Sequence, residues 1–306
     1  MKKILRIFII ILVVICTFSI NKVWANTSIK STDEKIKMIK KECGTDEIDI
    51  VEFSKEELLD KEKIEIKPKI PNGLEVIPHY SLRSIFGPDS RTRVQNASAF
   101  PYSAIAHVSS GFYGIPPTEG TAFLIAENVA LTAAHNIYLP GYGYTTGITV
   151  TPGKTGAIEP FGSATAIATY IPSEYPMSQD YTNDWGIIVL DSNIGASAGN
   201  LGVRAYTNAY GELASKTVKL TGYPGIVNGS EVNDEQWETT GNIMTAWDEY
   251  LCHELDCSKG QSGAPIYELD NYAVAIHHFG GSMLNFATNT TEEIIAMCIE
   301  YIEQYN

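Results

Sequence analysis

The chain has 306 residues, a length that suits one large domain or two small ones. It carries 22 Lys and Arg against 36 Asp and Glu, for a formal net charge of −14. The acidic excess is concentrated in residues 84–306, with seven basic and 23 acidic side chains, which argues against binding to nucleic acid or anionic membranes.

The first 25 residues have the composition of a secretory signal peptide. Lys2, Lys3 and Arg6 precede an apolar run, and Ala25 ends a small-residue cleavage motif. A membrane anchor is the alternative, but the apolar run is shorter than the ~20 residues that a span needs. We expect a secreted, extracellular protein whose mature form does not associate with membranes.

Residues 26–83 differ in composition from the rest of the chain. They are rich in Lys, Glu, Asp and Ile, and Tyr80 is their only Tyr. Such a segment, helical or disordered, does not build a core by itself. Its place between a signal peptide and a globular region indicates a pro-segment, and a flexible linker is the alternative.

From residue 84 onward, short runs of β-branched and aromatic residues are separated by Gly, Pro, Asn and Asp. Their number and spacing predict an all-β sandwich or a pair of β-barrels. The runs are TAFLIAENVALTAAH, GITVTP, ATAIATYIP, WGIIVLD, TVKLTGYPG, APIYELD and YAVAIHHF.

The chain ends in a predicted helix. Thr290 and Glu293 suit a capping box, and an apolar stripe follows at helical spacing. The stripe consists of Ile294, Ile295, Cys298, Ile299 and Ile302. We expect Cys298 to be a packed thiol on this stripe.

Cys252, Cys257 and Cys298 are the cysteines that remain once the signal peptide and pro-segment are removed. An odd number leaves at least one thiol unpaired within a single chain, so no dense disulfide framework holds the fold. A bridge between Cys252 and Cys257 requires a bend, because residues five apart in a regular strand lie on opposite faces.

Hydrolysis through a serine needs a base, a carboxylate that orients it and donors for the oxyanion. Ser262 lies among small residues in KGQSGAP, and His135 ends the run NVALTAAH. Asp184 directly precedes a buried strand, whereas the competing Asp180 is farther from it. The order His135, Asp184, Ser262 is that of the chymotrypsin-like proteases.

Backbone N–H groups of Gly260 and Ser262 are candidates for the oxyanion hole, since Gly260 can adopt a positive φ. A lipase or esterase is excluded by a missing nucleophile elbow. That motif requires G-x-S-x-G, and this chain has Ala264 at the last position within an all-β pattern.

Four motifs together resemble the bacterial glutamyl endopeptidases, the V8-like branch of the chymotrypsin-like proteases. They are LTAAH, NDWGIIVL, LTGYPG and GQSGAPIY, and residues 84–110 also resemble the mature N-terminus of the Bacillus members. The resemblance covers roughly residues 84–305. It implies two six-stranded antiparallel β-barrels, at 84–195 and 196–306, the second including the C-terminal helix.

The resemblance also implies the roles of the site residues. His135 would be the general base, Asp184 its orienter and Ser262 the nucleophile. The N–H groups of Gly260 and Ser262 would form the oxyanion hole.

By the same resemblance, the mature chain begins at Ser84 and the cut follows Arg83. Because Arg is a poor substrate residue for a Glu-specific enzyme, we expect a separate trypsin-like protease to activate the precursor. In the trypsin-like branch, an Asp before the nucleophile pairs with the new N-terminal ammonium. Gln261 is neutral and cannot form that ion pair, and the resemblance instead assigns the Ser84 amine to the specificity (S1) pocket.

The resemblance implies a histidine in the S1 pocket, just before a Gly-rich turn. AVAIHHFGG matches, with His277 at that position by the count from Gly280. His278 would point to the other face of the strand, as a surface residue.

Two S1 residues depart from the family pattern. Cys257 stands where the family usually has a Thr, and a thiol is the weaker donor. Lys259 replaces a usual Gly, where it either attracts acidic side chains or is a solvated loop charge.

We therefore expect a monomeric serine endopeptidase that acts on proteins or peptides with an acidic P1 residue. No metal or other cofactor is expected, because no metal-binding motif is visible. The alternatives are the same chemistry with an altered P1 preference, and a catalytically silent, protease-like binding protein.

Overall fold

The structure is a computed structural model that describes residues 34–59, 64–77, 89–232, 234–280 and 284–305. The expected signal peptide, the Arg83–Ser84 bond and the Ser84 amine lie outside the described residues. Within those ranges, no helix has the length and apolar character needed to cross a membrane.

Short strands dominate the described chain. The strands are β1 Lys35–Glu42, β2 Ile48–Ser54, β3 Glu65–Ile66, β4 Thr92–Arg93, β5 Ile105–Phe112, β6 Ile115–Leu124, β7 Val129–Thr132, β8 Tyr138–Leu139, β9 Gly143–Tyr144, β10 Gly147–Pro152, β11 Ala164–Pro172, β12 Gly186–Leu190, β13 Gly202–Arg204, β14 Thr217–Gly222, β15 Ile226–Val227, β16 Ser230–Glu231, β17 Trp237–Ala246, β18 Tyr250–His253, β19 Pro265–Tyr267, β20 Tyr272–Gly280 and β21 Asn285–Asn289. The α-helices are α1 Lys55–Leu59, α2 Tyr175–Ser178, α3 Gly195–Ala198, α4 Ala209–Leu213 and α5 Glu292–Tyr305. Three 3-10 helices span Tyr102–Ala104, Ala134–Asn136 and Tyr181–Asn183.

The first barrel consists of strands β10, β5, β6, β7, β12 and β11 in that order. It closes because β10 pairs with both β5 and β11. All five residues of β12 are buried, as the continuous apolar run of that strand predicts. Leu124, Ile148 and Ile188 belong to the apolar cluster of this barrel.

The second barrel consists of strands β19, β14, β17, β18, β21 and β20, closed by the pairing of β19 with β20. Leu220, Ile243 and Ile266 belong to its apolar cluster. The expected pair of six-stranded antiparallel barrels is thus confirmed.

The predicted C-terminal helix is α5, on which Ile294, Ile295 and Cys298 are buried. The capping residue differs from the prediction. Thr291 accepts the Ile294 N–H at 3.3 Å, whereas the Thr290 hydroxyl donates to the Arg204 carbonyl at 2.7 Å.

The expected pro-segment contributes strands to both sheets, although its composition suggested helix or disorder. Strand β1 pairs antiparallel with β11 at the edge of the first barrel, and β3 pairs with β13 beside the second. Met38, on β1, is fully buried in an apolar cluster with Tyr170 and with Tyr301 of α5. Strand β1 forms here because it packs on apolar surface that β11 and α5 provide.

This packing predicts that truncating a side chain to Ala destabilises the protein more on β1 than on β2. In the full-length Ser262→Ala chain, Met38→Ala should lower the free energy of unfolding by about 2–5 kcal/mol, because it leaves a cavity. Ile50→Ala on β2 is the control, since Ile50 is 64% exposed. Urea unfolding measures both variants, and equally small losses would show that the hairpin does not dock on the barrel.

Candidate active site

The sequence-predicted pair His135 and Asp184 lies at the ends of two neighbouring strands. Strand β7 leads into the 3-10 helix that carries His135, and Asp184 stands just before β12. Because β7 and β12 pair through Thr132 and Gly186, the two side chains meet. Asp184 accepts from His135 twice, from Nδ1 at 2.8 Å and from the backbone N–H at 3.0 Å.

The competing carboxylate, that of Asp180, does not contact His135 but caps a 3-10 helix. Asp180 is exposed and accepts the backbone N–H and the hydroxyl of Thr182, each at 3.0 Å, which caps the 3-10 helix Tyr181–Asn183. The structure thus brings Asp184, and not Asp180, to His135.

The pKa values of the pair shift in opposite directions. Burial disfavours the imidazolium, but the Asp184 carboxylate outweighs burial and raises the pKa of His135 above 6.5. Burial also disfavours the carboxylate, but His135 outweighs it and lowers the pKa of Asp184. Asp184 therefore stays ionised and fixes Nδ1 as the protonated nitrogen, which leaves Nε2 of neutral His135 as a base.

Ser262 is joined to the first barrel through its backbone. Its carbonyl accepts the Thr121 N–H at 2.8 Å and the Asn136 amide Nδ2 at 3.0 Å. Asn136 directly follows His135, so one side chain links the nucleophile loop to the base. The Ser262 hydroxyl donates to the His278 carbonyl at 3.5 Å, and within the described ranges no hydrogen bond joins it to His135.

Gly263 allows this close approach of the two barrels. Its φ is +86°, and a Cβ there would lie 2.1 Å from the Thr121 carbonyl oxygen and 2.3 Å from Thr132 Oγ1. A side chain at this position would therefore push Ser262 away from His135.

The two predicted oxyanion donors have no acceptor among the described residues. In the part of the chain that the structure describes, neither the Gly260 N–H nor the Ser262 N–H donates a hydrogen bond. Gly260 has φ +99°, and a Cβ there would lie 2.4 Å from the Tyr223 carbonyl oxygen. The loop thus presents two backbone donors beside the Ser262 hydroxyl, and only Gly fits at position 260.

Three of the four predicted S1 residues are described. His277 is buried and Cys257 is half-buried. The Cys257 Sγ lies beside Gly280, 3.7 Å from where a Cβ would stand if position 280 carried a side chain. Lys259 is exposed and forms no ion pair with any described residue. Ser84, the fourth, lies outside the described residues.

Sequence reasoning did not predict His253, which lies on β18 next to His277. Its Nε2 is 3.3 Å from His277 Nδ1, and both rings are buried. Burial, reinforced by His253, holds the pKa of His277 well below 6.5, and burial lowers the pKa of His253 to about 3. Both imidazoles are therefore neutral near pH 7. No local pattern signals His253, because the pairing of strands β18, β21 and β20 creates the contact.

His278 corrects one expectation. The alternation along β20 suggested a surface position, but His278 is only 5% exposed. Its ring stacks against that of Tyr181, with 6.2 Å between the ring centroids. It lies close enough to Asp184 for each to alter the pKa of the other. Tyr181 covers the outer face of the strand, which buries the ring.

The thiols are unpaired in the structure. Cys43, Cys252, Cys257 and Cys298 are all free, so Cys252 does not bridge Cys257. Burial raises the pKa of the Cys257 thiol to about 12, which keeps it protonated and a weak hydrogen-bond donor. Among the described residues, no group of three or more His, Cys, Asp or Glu side chains could hold a metal ion.

Comparison with known proteins identifies the family of this chain. Residues 90–294 match the family model for trypsin. The glutamyl endopeptidase of Bacillus licheniformis is 34% identical over 227 residues, which cover 70% of this chain and 68% of that protein. An extracellular metalloprotease of Bacillus subtilis strain 168 is 32% identical over 218 residues, which cover 69% of this chain and 67% of that protein.

A solved structure of a Glu endopeptidase in complex with MPD has the same fold, with a TM-score of 0.62 and 29% identity. The match covers 72% of this chain and 100% of that chain. The chain therefore belongs to the trypsin family of chymotrypsin-like serine proteases and is similar to the glutamyl endopeptidases of that family.

Proposed function

We propose that this protein is a secreted serine endopeptidase that cleaves after Glu or Asp through an acyl-enzyme formed on Ser262. The observation that carries the proposal is the 2.8 Å hydrogen bond between His135 and Asp184, together with the N–H groups of Gly260 and Ser262, which donate to no described residue. The 34% identity to a protein named glutamyl endopeptidase supports the acidic preference. Secretion is supported by the composition of residues 1–25 and by the similarity to a relative named as extracellular.

The geometry suits each step of acyl transfer. Rotation about χ1 moves the Ser262 hydroxyl from the His278 carbonyl toward His135, which takes its proton as Oγ attacks the substrate carbonyl. The N–H groups of Gly260 and Ser262 stabilise the oxyanion, and Asp184 stabilises the imidazolium. His135 then protonates the leaving amine, and water releases the acyl group by the same route.

Acidic specificity requires donors and positive charge near the P1 side chain. His277 supplies a buried imidazole that is neutral in the free enzyme, so binding a carboxylate there favours uptake of a proton by the ring. The Ser84 amine and Lys259 are the proposed additional charges. Cys257 lines the same pocket in our assignment.

Maturation by another protease is part of the proposal. The bond before Ser84 follows Arg83, which is not an acidic residue. An enzyme that cleaves after Glu would not readily cut this bond, so a trypsin-like protease is the proposed activator.

An altered P1 preference is the second candidate function. It is favoured by Cys257, a weaker donor than the usual Thr, and by the exposed Lys259 at the proposed pocket rim. A silent binding protein is the third, and covalent labelling of Ser262 by an organophosphonate distinguishes it from both protease candidates.

The triad assignment predicts graded losses of kcat. Ser262→Ala should lower kcat on the order of 10⁶-fold. Asp184→Asn should lower it about 10⁴-fold, because the amide favours the wrong His135 tautomer. Asp180→Asn is the matched control, expected to stay within about twofold. Activity is measured on a P1 Glu peptide, and a large loss in the Asp180 variant alone would contradict the assignment.

The raised pKa of His135 predicts the acid limb of the pH profile. Neutral His135 is the active form, so kcat/KM should fall as pH drops through a pKa above 6.5. In Asp184→Asn the carboxylate that raises this pKa is gone, and the limb should move to lower pH. A peptide with P1 Gln is used so that no substrate group titrates, and an unchanged limb would argue against pairing with Asp184.

The S1 assignment predicts that Cys257→Thr strengthens the acidic preference. A hydroxyl donating to a carboxylate should raise the ratio of kcat/KM for P1 Glu over P1 Gln by roughly tenfold. Cys252→Ala removes the neighbouring thiol and should leave the ratio unchanged. If both variants change the ratio equally, Cys257 does not contact the P1 side chain.

A further inference from the structure

Arg91 lies outside both barrels but contacts the loop that carries the nucleophile. Its guanidinium is nearly buried, at 8% exposure, and every one of its five N–H groups has an acceptor. Nε and Nη2 donate to the Asp89 carboxylate at 2.9 and 2.6 Å, and Nη2 also donates to the Ile226 carbonyl at 2.9 Å. Nη1 donates to Ser258 Oγ at 2.7 Å and to Gln261 Oε1 at 3.0 Å.

Asp89 compensates the buried charge of Arg91. It accepts the guanidinium through both oxygens and also accepts the Asn228 N–H at 3.1 Å. The hydrogen bonds from Arg91 lower the pKa of Asp89 to about 2, so the ion pair persists throughout the neutral range. A buried guanidinium with this partner is held in one orientation.

Gln261 receives the contact that reaches the active site. Its Oε1 accepts from Arg91 and from the Ser258 N–H at 2.9 Å, and its own N–H donates to the Ser258 carbonyl at 3.1 Å. The side chain therefore folds back over residues 258–261. On the other side of the loop, the Gly225 N–H donates to the Lys259 carbonyl at 2.8 Å.

This arrangement fixes the two donors of the oxyanion hole. The Ser262 N–H belongs to the peptide that Gln261 forms with Ser262. The Gly260 N–H belongs to the Lys259–Gly260 peptide, whose carbonyl accepts the Gly225 N–H. The side chain of Gln261 is fully buried, and Arg91 is its charged partner.

We propose that Arg91 is a positioning residue that builds the oxyanion hole, and that the hole is already formed before the pro-segment is cut off. The inference rests on the proposed function, since it concerns regulation of the same site. Its basis is that the loop is held by Arg91 while residues 35–42 and 65–66 of the pro-segment are still paired with the barrels. A fixed side chain within the chain thus does the work that a new N-terminal ammonium does in the trypsin-like branch. Removal of the pro-segment then regulates peptide binding and not the oxyanion loop.

The precursor itself provides the first test. The full-length Arg83→Gln chain cannot be cut by trypsin at that position, and the wild-type chain can be cut with immobilised trypsin. Both are treated with diisopropyl fluorophosphate, in which Ser262 Oγ displaces fluoride from phosphorus and loses its proton. We expect labelling of the uncut chain at a rate within about tenfold of the cut enzyme, because the reagent needs the oxyanion donors but little of the peptide site.

The outcomes separate the inference from the proposed function. An uncut chain that stays unlabelled beside a reactive cut enzyme would overturn the inference and leave the protease assignment intact. If neither form reacts at Ser262, the proposed function itself fails.

Substitutions test whether Arg91 acts through the loop or only holds its own segment. Arg91→Met should lower kcat of the cut enzyme about 100-fold, the scale of losing an oxyanion donor, with little change in KM. Arg93→Met is the matched control, because Arg93 lies two residues away and pairs with Glu235 on the surface at 2.8 Å. A merely structural role of Arg91 would lower the melting temperature and leave kcat of the folded enzyme unchanged, which would overturn the inference.

A second pair of variants covers the case in which Arg91→Met does not fold. Gln261→Leu removes the acceptor and should lose kcat as Arg91→Met does. Gln261→Glu keeps an oxygen for Arg91 and Ser258, and should recover at least a tenth of the wild-type rate of diisopropyl fluorophosphate labelling. Equal labelling rates in the two Gln261 variants would show that the contact with Arg91 does not determine the conformation of the loop.

Discussion

The contact between the Ser262–Gly263 backbone and the first barrel is the constraint on which the site depends. His135 and Asp184, the proposed base and its carboxylate, come from the first barrel, and Ser262, the proposed nucleophile, comes from the second. The geometry of the proposed triad therefore depends on this contact. Two hydrogen bonds to the Ser262 carbonyl, from Thr121 and Asn136, fix it, and the missing side chain of Gly263 permits it. The backbone at Ser262 therefore cannot shift away from the first barrel without breaking both hydrogen bonds.

Charge is distributed unequally around this contact. Asp184 and His135 shift each other's pKa toward the ionised pair, whereas burial keeps His253 and His277 neutral. The difference follows from the partner of each ring: His135 is paired with a carboxylate, which raises its pKa, whereas His253 and His277 are buried against each other, and burial lowers the pKa of both. In the free protein, neither of these two buried imidazoles therefore carries a positive charge near pH 7.

The local sequence predicted the residues whose chemistry is visible in their type and order. His135, Asp184 and Ser262 stand in a recognisable order, and strands such as β10 and β11 match their apolar runs. It did not predict the burial of His278, the partner of His277 or the contacts of Arg91, because residues distant in the chain create these contacts. The strands of the expected pro-segment were missed for the same reason, since their apolar partners lie on β11 and α5.

The β1–β2 hairpin has a consequence for the proposed maturation. Strand β11 pairs with β10 only near Ala164 and Thr165, while β1 covers it from Ala168 to Pro172. If the hairpin leaves, this stretch presents unpaired N–H and C=O groups to water, with Tyr170 beneath it. Open edges of this kind add further strands readily, and lysines on the covering strand are a common protection against such growth. Strand β1, which reads KIKMIKKE, covers this stretch of β11 with four lysines for as long as the hairpin stays docked.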